Sequence, residues 1–473
     1  MWDTVGGRDL AGRGGRGTQS DRPAEAVGGR DGGRCGVTPQ HDVEGLLRAR
    51  RLPGLEGALP DEGFVFPHYE GYSLANLPST VAAILGAELE GTAPPIPSHL
   101  WADLATGVRR VVLVLLDAVG YGTFRRLSDE DPTLRRLVRA GRLFPLTSIF
   151  PSTTVVALTT VWTGRTPLGH GFVGTRLLLS DQGVVADMLA LAPLAHKRDR
   201  EALLEWGWEP ERFVTVPTLG KQLNAHGVQT VALTFYPYLD GGLSRIFHRD
   251  AGARRGYIGL SDLWINLRET VVRSRDERLF AYAYWGEVDS LSHVYGPDSE
   301  PCRSALRHLM RGLAEDFLAP MPAAAREGTL LLIVADHGQT PTPAERAVYL
   351  TDHPALREML LLPPAGEPRA SFLYLRPGQE ERLRSYIADH FGDRFLLIET
   401  DRALAAGLFG PEQPSPALRA RLGDFLLLAR DDSQLLLARK RKAVEPSVLV
   451  GHHGSLTPAE MLIPLLMVRL DGV

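Results

Sequence analysis

The stretch VRRVVLVLLDAVG, residues 108–120, predicts the fold of the chain. A run of valine and leucine follows Arg110 and ends in Asp117. Strands that are apolar on both faces are typical of parallel sheets covered by helices on both sides. We therefore expect a buried strand whose carboxyl end presents Asp117.

Two later runs repeat this pattern and also end in acidic residues. They are DERLFAYAYWGEVDS, residues 276–290, and EGTLLLIVADHGQT, residues 327–340. Helical segments such as PTLGKQLNAHG, residues 217–227, separate the apolar runs. This alternation indicates an α/β fold of three layers, with a mostly parallel central sheet between helices. Ligands bind such sheets at the carboxyl ends of the strands.

The composition excludes several classes of protein. The chain has 473 residues, 44% of them hydrophobic and 23% charged, as in ordinary globular proteins. A net charge of -4 gives no basis for a nucleic-acid partner. The two cysteines, Cys35 and Cys302, are too few for a disulfide framework or a Cys-rich metal site. The sequence shows neither a long apolar span nor an apolar signal segment, so we expect a cytoplasmic protein without a membrane span.

Acidic and histidine residues occur at the ends of the predicted strands. Asp117, Asp336 and His337 follow two of the apolar runs directly. Asp289 and His293 have the spacing D-x-x-x-H, which directs both side chains to one point if a helical turn begins there. A further pair, His452-His453, lies between glycines near the C-terminus.

These side chains suit two divalent metal ions. Oxygen and nitrogen donors favour chiefly Zn²⁺, with Mn²⁺ or Fe as alternatives. The donors exceed what one tetrahedral ion needs, so two ions are expected. Paired ions are a common arrangement for the hydrolysis of phosphate esters.

The segment IFPSTTVVALTT, residues 149–160, places three hydroxyl residues at a predicted junction between a strand and a helix. A hydroxyl that caps the helix is one interpretation of Ser152, Thr153 and Thr154. A hydroxyl beside a divalent ion can also ionise and attack phosphorus, and a helix N-terminus stabilises the resulting charge. The spacing alone does not separate the three residues.

The order of the motifs resembles the type I phosphodiesterase/nucleotide pyrophosphatase family of the alkaline phosphatase superfamily. The resemblance runs from roughly residue 70 to the C-terminus. It rests on five segments: LLDAVG, FPSTT followed by TGRTPLGHGFVG, DSLSHVYGP, ADHG and GHHGSLTPAEMLIPLL. It implies an alkaline phosphatase-like fold and two bound divalent ions.

The resemblance also implies roles for single residues, and it selects Thr154 as the nucleophile. Thr175 stands where the family has an Asn that binds phosphoryl oxygens, and His452 fills the variable position of Gly-x-His-Gly. Both are therefore candidate substrate-binding residues. The implied ligands of the ion that activates the nucleophile are Asp117, Thr154, Asp336 and His337. The implied ligands of the second ion are Asp289, His293 and His453.

Three parts of the chain follow from these patterns. Residues 1–55 are predicted to be a disordered tail, because the first 45 or so are rich in Gly and Arg and nearly free of aliphatic residues. Residues 56–365 and 441–473 form the predicted catalytic domain. Residues 366–440 are predicted to be a smaller α+β insertion or cap.

The implied function is hydrolysis of a phosphodiester or nucleotide pyrophosphate bond in a small phosphate ester, through a phospho-Thr intermediate. Val155-Val156-Ala157 stands where the nucleotide pyrophosphatases usually have Phe-Pro-Asn. Phosphomonoester and phosphonate hydrolysis therefore remain alternatives, as does a phosphoglycerate-mutase-like isomerase. A catalytically silent ligand-binding homologue is the alternative of another class. A sulfatase is not expected, because neither cysteine has the required sequence around it.

Overall fold

The computed structural model of the protein describes residues 42–60, 62–196, 199–438 and 449–473. The strands in chain order are β1 Arg110–Leu116, β2 Arg142–Thr147, β3 Arg176–Leu179, β4 Val184–Asp187, β5 Ala192–Pro193, β6 Gln229–Phe235, β7 Ala253–Tyr257, β8 Leu279–Trp285, β9 Thr329–Ala335, β10 Thr340–Pro341, β11 Ala347–Tyr349, β12 Ala365–Glu367, β13 Ala370–Leu373, β14 Phe395–Glu399, β15 Phe425–Ala429, β16 Gln434–Leu436, β17 Gly451–His452 and β18 Leu462–Arg469.

The helices flank and connect these strands. The α-helices are α1 Val43–Ala49, α2 Leu77–Ile84, α3 Ala102–Ala105, α4 Tyr121–Glu130, α5 Pro132–Ala140, α6 Thr154–Thr163, α7 Pro167–His170, α8 Ala202–Glu205, α9 Pro210–Phe213, α10 Leu219–Ala225, α11 Gly242–Phe247, α12 Leu260–Arg273, α13 Glu287–Tyr295, α14 Glu300–Gly312, α15 Ala323–Arg326, α16 Pro354–Met359, α17 Glu380–Phe391, α18 Thr400–Ala405, α19 Pro416–Arg421 and α20 Pro458–Met461. A π-helical segment, Leu313–Leu318, continues α14.

The central sheet has the strand order β2-β18-β9-β1-β8-β6-β7. Strand β18 runs antiparallel to β2 and β9, and the other neighbouring pairs are parallel. Every residue of β1 and β9 is buried, so both faces of the sheet are covered. The structure thus confirms the α/β class with a mostly parallel central sheet.

The sequence explains the helix that leads to β2. Asp131 caps α5 by accepting a hydrogen bond from the backbone N–H of Leu134 at 2.8 Å, and Pro132 fills the first helical position. The helix buries Leu134 and Leu137 and ends before Gly141. The chain then enters β2, which delivers the hydroxyl segment to the carboxyl end of the sheet.

A second sheet has the order β14-β15-β13-β12-β3-β4-β5, and all its pairs are antiparallel. Strands β12 to β15 belong to the predicted insertion, whereas β3 to β5 belong to the predicted catalytic domain. Phe372 of β13 packs in the main core, and its neighbour Leu373 packs in a smaller core with Leu383 and Ile387. The segment 366–440 therefore shares a sheet and a core with the rest of the chain; its treatment as a separate unit stays a prediction.

The predicted tail is only partly within the described residues. Residues 42–55 contain α1, whose Val43 and Leu47 are buried one helical turn apart. This part of the predicted tail is folded, because its apolar positions match the helical period. Residues 1–41 lie outside the described residues, as do residues 439–448, where the predicted insertion ends. In the described part of the chain, no helix has the length and apolar character needed to cross a membrane.

Candidate active site

Two neighbouring central strands position the first group of candidate ligands. The last pair in the register of β1 and β9 is Leu116 with Ala335, so the carboxylates that follow, Asp117 and Asp336, leave the sheet side by side. His337 Nε2 lies 3.4 Å from Asp117 Oδ1 and 3.5 Å from Asp336 Oδ2. Asp117, Asp336 and His337 are buried and form what we call the first cluster.

The second cluster consists of Asp289, His293 and His453. Helix α13 begins just after β8 and places Asp289 and His293 one turn apart, as the D-x-x-x-H spacing requires. His293 Nε2 lies 3.3 Å and His453 Nε2 3.7 Å from Asp289 Oδ1. His453 follows β17, which pairs with β10 beyond the first cluster.

The three histidines of the clusters are oriented by backbone carbonyls. His293 Nδ1 lies 2.6 Å from the backbone oxygen of Gly451. His337 Nδ1 lies 2.9 Å from that of Gly338, and His453 Nδ1 lies 2.9 Å from that of Ser152. A carbonyl oxygen only accepts, so each Nδ1 carries the donated proton and each Nε2 faces its cluster. Fixing the ring through the other nitrogen is the usual way in which proteins orient metal-binding histidines. The rings of His337 and His453 are stacked with centroids 3.9 Å apart, so the two clusters adjoin.

Among the three hydroxyls of the opening turn of α6, only that of Thr154 faces the first cluster. Thr154 Oγ1 lies 3.1 Å from His337 Nε2 and 3.5 Å from each carboxylate oxygen of Asp117. Ser152 Oγ instead donates to Ser455 O at 2.8 Å, and Thr153 Oγ1 is hydrogen-bonded to Thr175 Oγ1 at 3.1 Å. Ser152 and Thr153 therefore shape the turn, and Thr154, which is only partly buried, is the nucleophile candidate.

The first cluster is electrostatically unsatisfied. Burial, together with the nearby carboxylates of Asp336 and Asp289, raises the pKa of Asp117 well above its usual range. Burial likewise raises the pKa of Asp336 to about 7. Asp336 Oδ1 accepts from the N–H groups of Ala118 and His337, but its buried Oδ2 has no hydrogen-bond partner within the described residues. A buried carboxylate oxygen without a hydrogen bond is free to bind a cation.

The second cluster neutralises itself. Burial lowers the pKa of His293, but the adjacent Asp289 carboxylate more than offsets this and raises it to about 9. Burial raises the pKa of Asp289, and the charges of His293 and His453 outweigh that effect and lower it. Burial and the neighbouring His337 lower the pKa of His453, which keeps its imidazole neutral.

Both clusters have the donors that divalent ions require. Each offers carboxylate oxygen and imidazole Nε2, with the ligand atoms of each cluster within 4.8 Å of one another. The first cluster has an unpartnered Asp336 Oδ2, and the second an Asp289 Oδ1 that makes no hydrogen bond within the described residues. This donor set fits Zn²⁺, Mn²⁺ or Fe.

The two candidate substrate-binding residues lie beside the clusters. Thr175 contacts Thr153 and donates its backbone N–H to Glu367 Oε1 at 2.5 Å, so it supports the turn that precedes the nucleophile. The ring of His452 lies 5.2 Å from that of His293. Burial and the charges of His293, Arg369 and Arg176 lower the pKa of His452, which keeps it neutral.

Two residues at the site escaped the sequence analysis. Tyr284 of β8 donates its hydroxyl hydrogen bond to Asp117 Oδ2. Glu367 at the end of β12 is buried and holds the Thr175 amide. Neither lies in a motif: Tyr284 is one aromatic residue in an apolar strand, and Glu367 comes from the predicted insertion. The acidic end of β12 was the only signal for Glu367.

The match to a family model, together with the fold, assigns the protein to the hydrolases of the alkaline phosphatase superfamily. The chain belongs to the type I phosphodiesterase / nucleotide pyrophosphatase family, whose sequence model matches residues 111–456. The search of curated proteins gives no match.

Solved structures share the fold. Murine ectonucleotide pyrophosphatase / phosphodiesterase 5, inactive and in complex with AMP, superposes with a TM-score of 0.57 at 16% identity over 76% of this chain and 88% of the other. Phosphonoacetate hydrolase from Sinorhizobium meliloti 1021, in complex with phosphonoformate, gives a TM-score of 0.58 at 17% identity over 82% of this chain and 97% of the other. At these identities the likeness establishes the common architecture.

Proposed function

We propose that the protein is a two-metal phosphoryl-transfer hydrolase in which Thr154 attacks phosphorus. The observation that carries the proposal is the position of Thr154 Oγ1, 3.1 Å from His337 Nε2 and 3.5 Å from both Asp117 oxygens, at the first residue of α6. A hydroxyl in this place lies within reach of Asp117 and His337 of the first cluster.

The residues of the site would have different roles in binding the ions and in attacking phosphorus. The first cluster and Thr154 would hold one divalent ion, and the second cluster the other. Bound ions supply positive charge that favours the Thr154 alkoxide and neutralises the phosphoryl and leaving oxygens. Thr154 Oγ forms a bond to phosphorus as the bond to the leaving oxygen breaks and its electron pair departs with that oxygen. Water then attacks phosphorus and releases Thr154.

Helix α6 adds to the stabilisation of the transferred group. No side chain of the described residues caps its N-terminus, which begins at Thr154. The first backbone N–H groups of a helix have no intrahelical partner and favour anions. They are therefore available to the oxygens of a phosphoryl group bound at Thr154.

The substrate proposed first is a phosphodiester or nucleotide pyrophosphate, because the chain belongs to a family described by those activities. A phosphonate is the second candidate, because phosphonoacetate hydrolase shares the fold over nearly its whole length and was solved with phosphonoformate. Val155-Val156-Ala157 follows the nucleophile here, and this departure bears on the substrate more than on the chemistry.

One experiment tests the proposal and its alternatives. The purified protein is loaded with Zn²⁺, Mn²⁺ or Fe²⁺, its metal content is measured, and turnover is followed with bis-(p-nitrophenyl) phosphate, a dinucleotide pyrophosphate, p-nitrophenyl phosphate and phosphonoacetate. We expect about two ions per chain and turnover of a diester or pyrophosphate. Turnover of phosphonoacetate alone would favour the second candidate. A protein that holds no ions, turns over nothing and still binds a phosphate ester would be a silent homologue.

A further inference from the structure

The family position of the amide donor does not supply a free side-chain donor for the oxygens of the phosphoryl group. Thr175, the residue that stands in the family position of the amide donor, is already engaged. Its Oγ1 is hydrogen-bonded to Thr153 Oγ1 at 3.1 Å, and its N–H is donated to Glu367 Oε1 at 2.5 Å. Its side chain is only 9% exposed. A side-chain donor that adds to the backbone N–H groups of α6 would therefore come from another element.

Tyr284 places a hydroxyl against Asp117, the carboxylate that Thr154 also faces. It is the penultimate residue of β8, and its Oη donates to Asp117 Oδ2. The same oxygen lies 3.5 Å from Thr154 Oγ1. The phenol and the nucleophile thus converge on one carboxylate oxygen, and a phosphorus atom held at Thr154 would bring its own oxygens beside Tyr284.

The surroundings of Tyr284 hold this hydroxyl in place. A Cβ at Gly286 would lie 2.7 Å from Tyr284 Oη, so the hydroxyl occupies the space that any larger residue at 286 would fill. The hydroxyl of Tyr257 donates to the backbone oxygen of Tyr284 at 2.8 Å, which fixes the strand end. A phenol ordinarily keeps its proton at neutral pH. A neutral hydroxyl whose oxygen is held in place can donate a hydrogen bond. It does not compete, as a phenolate would, with the carboxylates and histidines for a bound ion.

We propose that Tyr284 is a catalytic residue: during attack its single O–H would rotate about the C–O bond away from Asp117 Oδ2, whose charge a bound ion would then balance, and donate a hydrogen bond to a non-bridging phosphoryl oxygen in the place of the missing amide. The inference rests on the proposed function. As the bond from Thr154 Oγ to phosphorus forms and the leaving oxygen departs with its electron pair, negative charge on the non-bridging oxygens is stabilised by the Tyr284 O–H. The proton stays on Tyr284, so the step needs no other reactant. A single preorganised donor of this kind contributes about 10²–10³ in rate.

Tyr284→Phe tests the proposal because it removes the hydroxyl and keeps the ring. Tyr282→Phe is the matched control: Tyr282 lies on the same strand, and its buried hydroxyl has no hydrogen-bond partner within the described residues. Metal-loaded wild type and both variants are compared for diester turnover, metal content, and binding of inorganic vanadate and inorganic phosphate by calorimetry. Vanadate adopts the five-coordinate geometry of a phosphoryl group under attack, whereas phosphate resembles the ground state.

The expected result is that Tyr284→Phe weakens binding of the transition state more than binding of the ground state. For Tyr284→Phe, kcat/KM and vanadate affinity should both fall about 10²–10³-fold, while phosphate affinity changes only a few-fold and both ions stay bound. Tyr282→Phe should match the wild type. Unchanged vanadate affinity in Tyr284→Phe would overturn the proposal. So would loss of an ion with activity restored by excess metal, since Tyr284 would then only position Asp117.

The two proposals fail in different ways. A metal-loaded wild type that turns over none of the esters would contradict the proposed function. The comparison of vanadate affinity between wild type and Tyr284→Phe needs no turnover, so it decides the role of Tyr284 in binding a phosphoryl-like group by itself.

Discussion

The first and second clusters adjoin, yet the pKa values of their acidic residues are shifted in opposite directions. In the first, Asp117 and Asp336 lie side by side at the ends of β1 and β9, and burial raises the pKa of both. In the second, Asp289 is paired with His293 on one helix, and the pair lowers the pKa of the acid and raises that of the base. In the metal-free protein the first cluster is therefore relieved by binding protons on its carboxyl groups, whereas in the second cluster the Asp289 carboxylate is balanced by the protonated His293.

The clusters also differ in the structural elements that position their side chains. The ligands of the first leave the central sheet itself, where neighbouring strands fix them. The second depends on α13 and on the loop after β17. That loop is anchored by a fully buried ion pair between Arg369 and Glu460. The Glu460 carboxylate also accepts hydrogen bonds from Ser455 N at 3.0 Å and from Thr457 Oγ1 at 2.6 Å. Four predictions test this contrast, beginning with the largest effect.

The proposed nucleophile, Thr154, faces the first cluster. Thr154→Ala should lower turnover by more than about 10⁴-fold, because the group that bonds to phosphorus is removed. Thr153→Ala is the control: it removes the hydrogen bond to Thr175 and should cost about 1 kcal/mol of stability with a few-fold change in rate. Turnover on a diester and circular dichroism check both. Equal losses of activity in the two variants would remove Thr154 from its assigned role.

Each cluster should hold one ion. Asp336→Asn and Asp289→Asn each remove one charged ligand without changing its shape, so each should reduce bound metal from about two ions per chain to about one. Metal analysis after dialysis measures this. Turnover should fall more with Asp336→Asn, since that ion adjoins Thr154. Unchanged metal content in either variant would exclude that carboxylate from the ligands.

The anchor of the second cluster should be costly to break. Glu460→Gln leaves the buried Arg369 charge unpaired and should lower the free energy of unfolding by about 3–5 kcal/mol. The ion of the second cluster should be released at a lower chelator concentration than in the wild type, with the first unaffected. The control is Asp401→Asn, which breaks the exposed pair with Arg419 and should cost less than about 1 kcal/mol. If chelator released both ions together, the two clusters would not be held independently.

The metal-free protein should lose stability in two steps as pH rises. The pKa of Asp336 is raised by burial from 3.8 to about 7, so the stability contributed by its protonated form is complete below 3.8 and is lost as pH rises through about 7. The pKa of His293 is raised from 6.5 to about 9, because the Asp289 charge more than offsets burial, so its contribution is complete below 6.5 and is lost through about 9.

Denaturant unfolding in the presence of chelator, between pH 4 and pH 10, measures these steps. Each proton contributes a slope of up to about 1.4 kcal/mol per pH unit. Asp336→Asn should flatten the lower step and stabilise the metal-free protein at pH 8, whereas Asp289→Asn should flatten the upper step and destabilise it at neutral pH. Two variants that shift stability in the same direction would contradict the contrast between the clusters.

Much of the architecture follows from local sequence. The apolar run before Asp117 predicts a doubly covered strand, and β1 is buried at every position. The D-x-x-x-H spacing predicts that one helical turn joins Asp289 to His293, and α13 provides it. Both features depend on the spacing of residues a few positions apart along the chain, so they can be predicted from the sequence alone.

Other features depend on contacts distant along the chain. Strand β18 inserts antiparallel between β2 and β9, and the predicted insertion completes a sheet with residues 176–193. Tyr284 and Glu367 reach the site only because β8 lies beside β1 and β12 beside β3. Strand order is set by how the whole core packs, and no local pattern records it.

The sequence by itself determined the α/β class, the donor types and the carboxyl edge of the sheet as their location, because strand period and residue chemistry are local properties. It left three adjacent hydroxyls equivalent in spacing, and the family resemblance singled out Thr154. Only the tertiary structure shows the physical difference among them: Ser152 and Thr153 are bonded to Ser455 and Thr175 from distant segments, and Thr154 alone is left facing Asp117 and His337. The tertiary structure likewise decided that one cluster brings two carboxyl groups together and the other pairs a carboxylate with a histidine, because burial and the distances between charges exist only once the chain is folded.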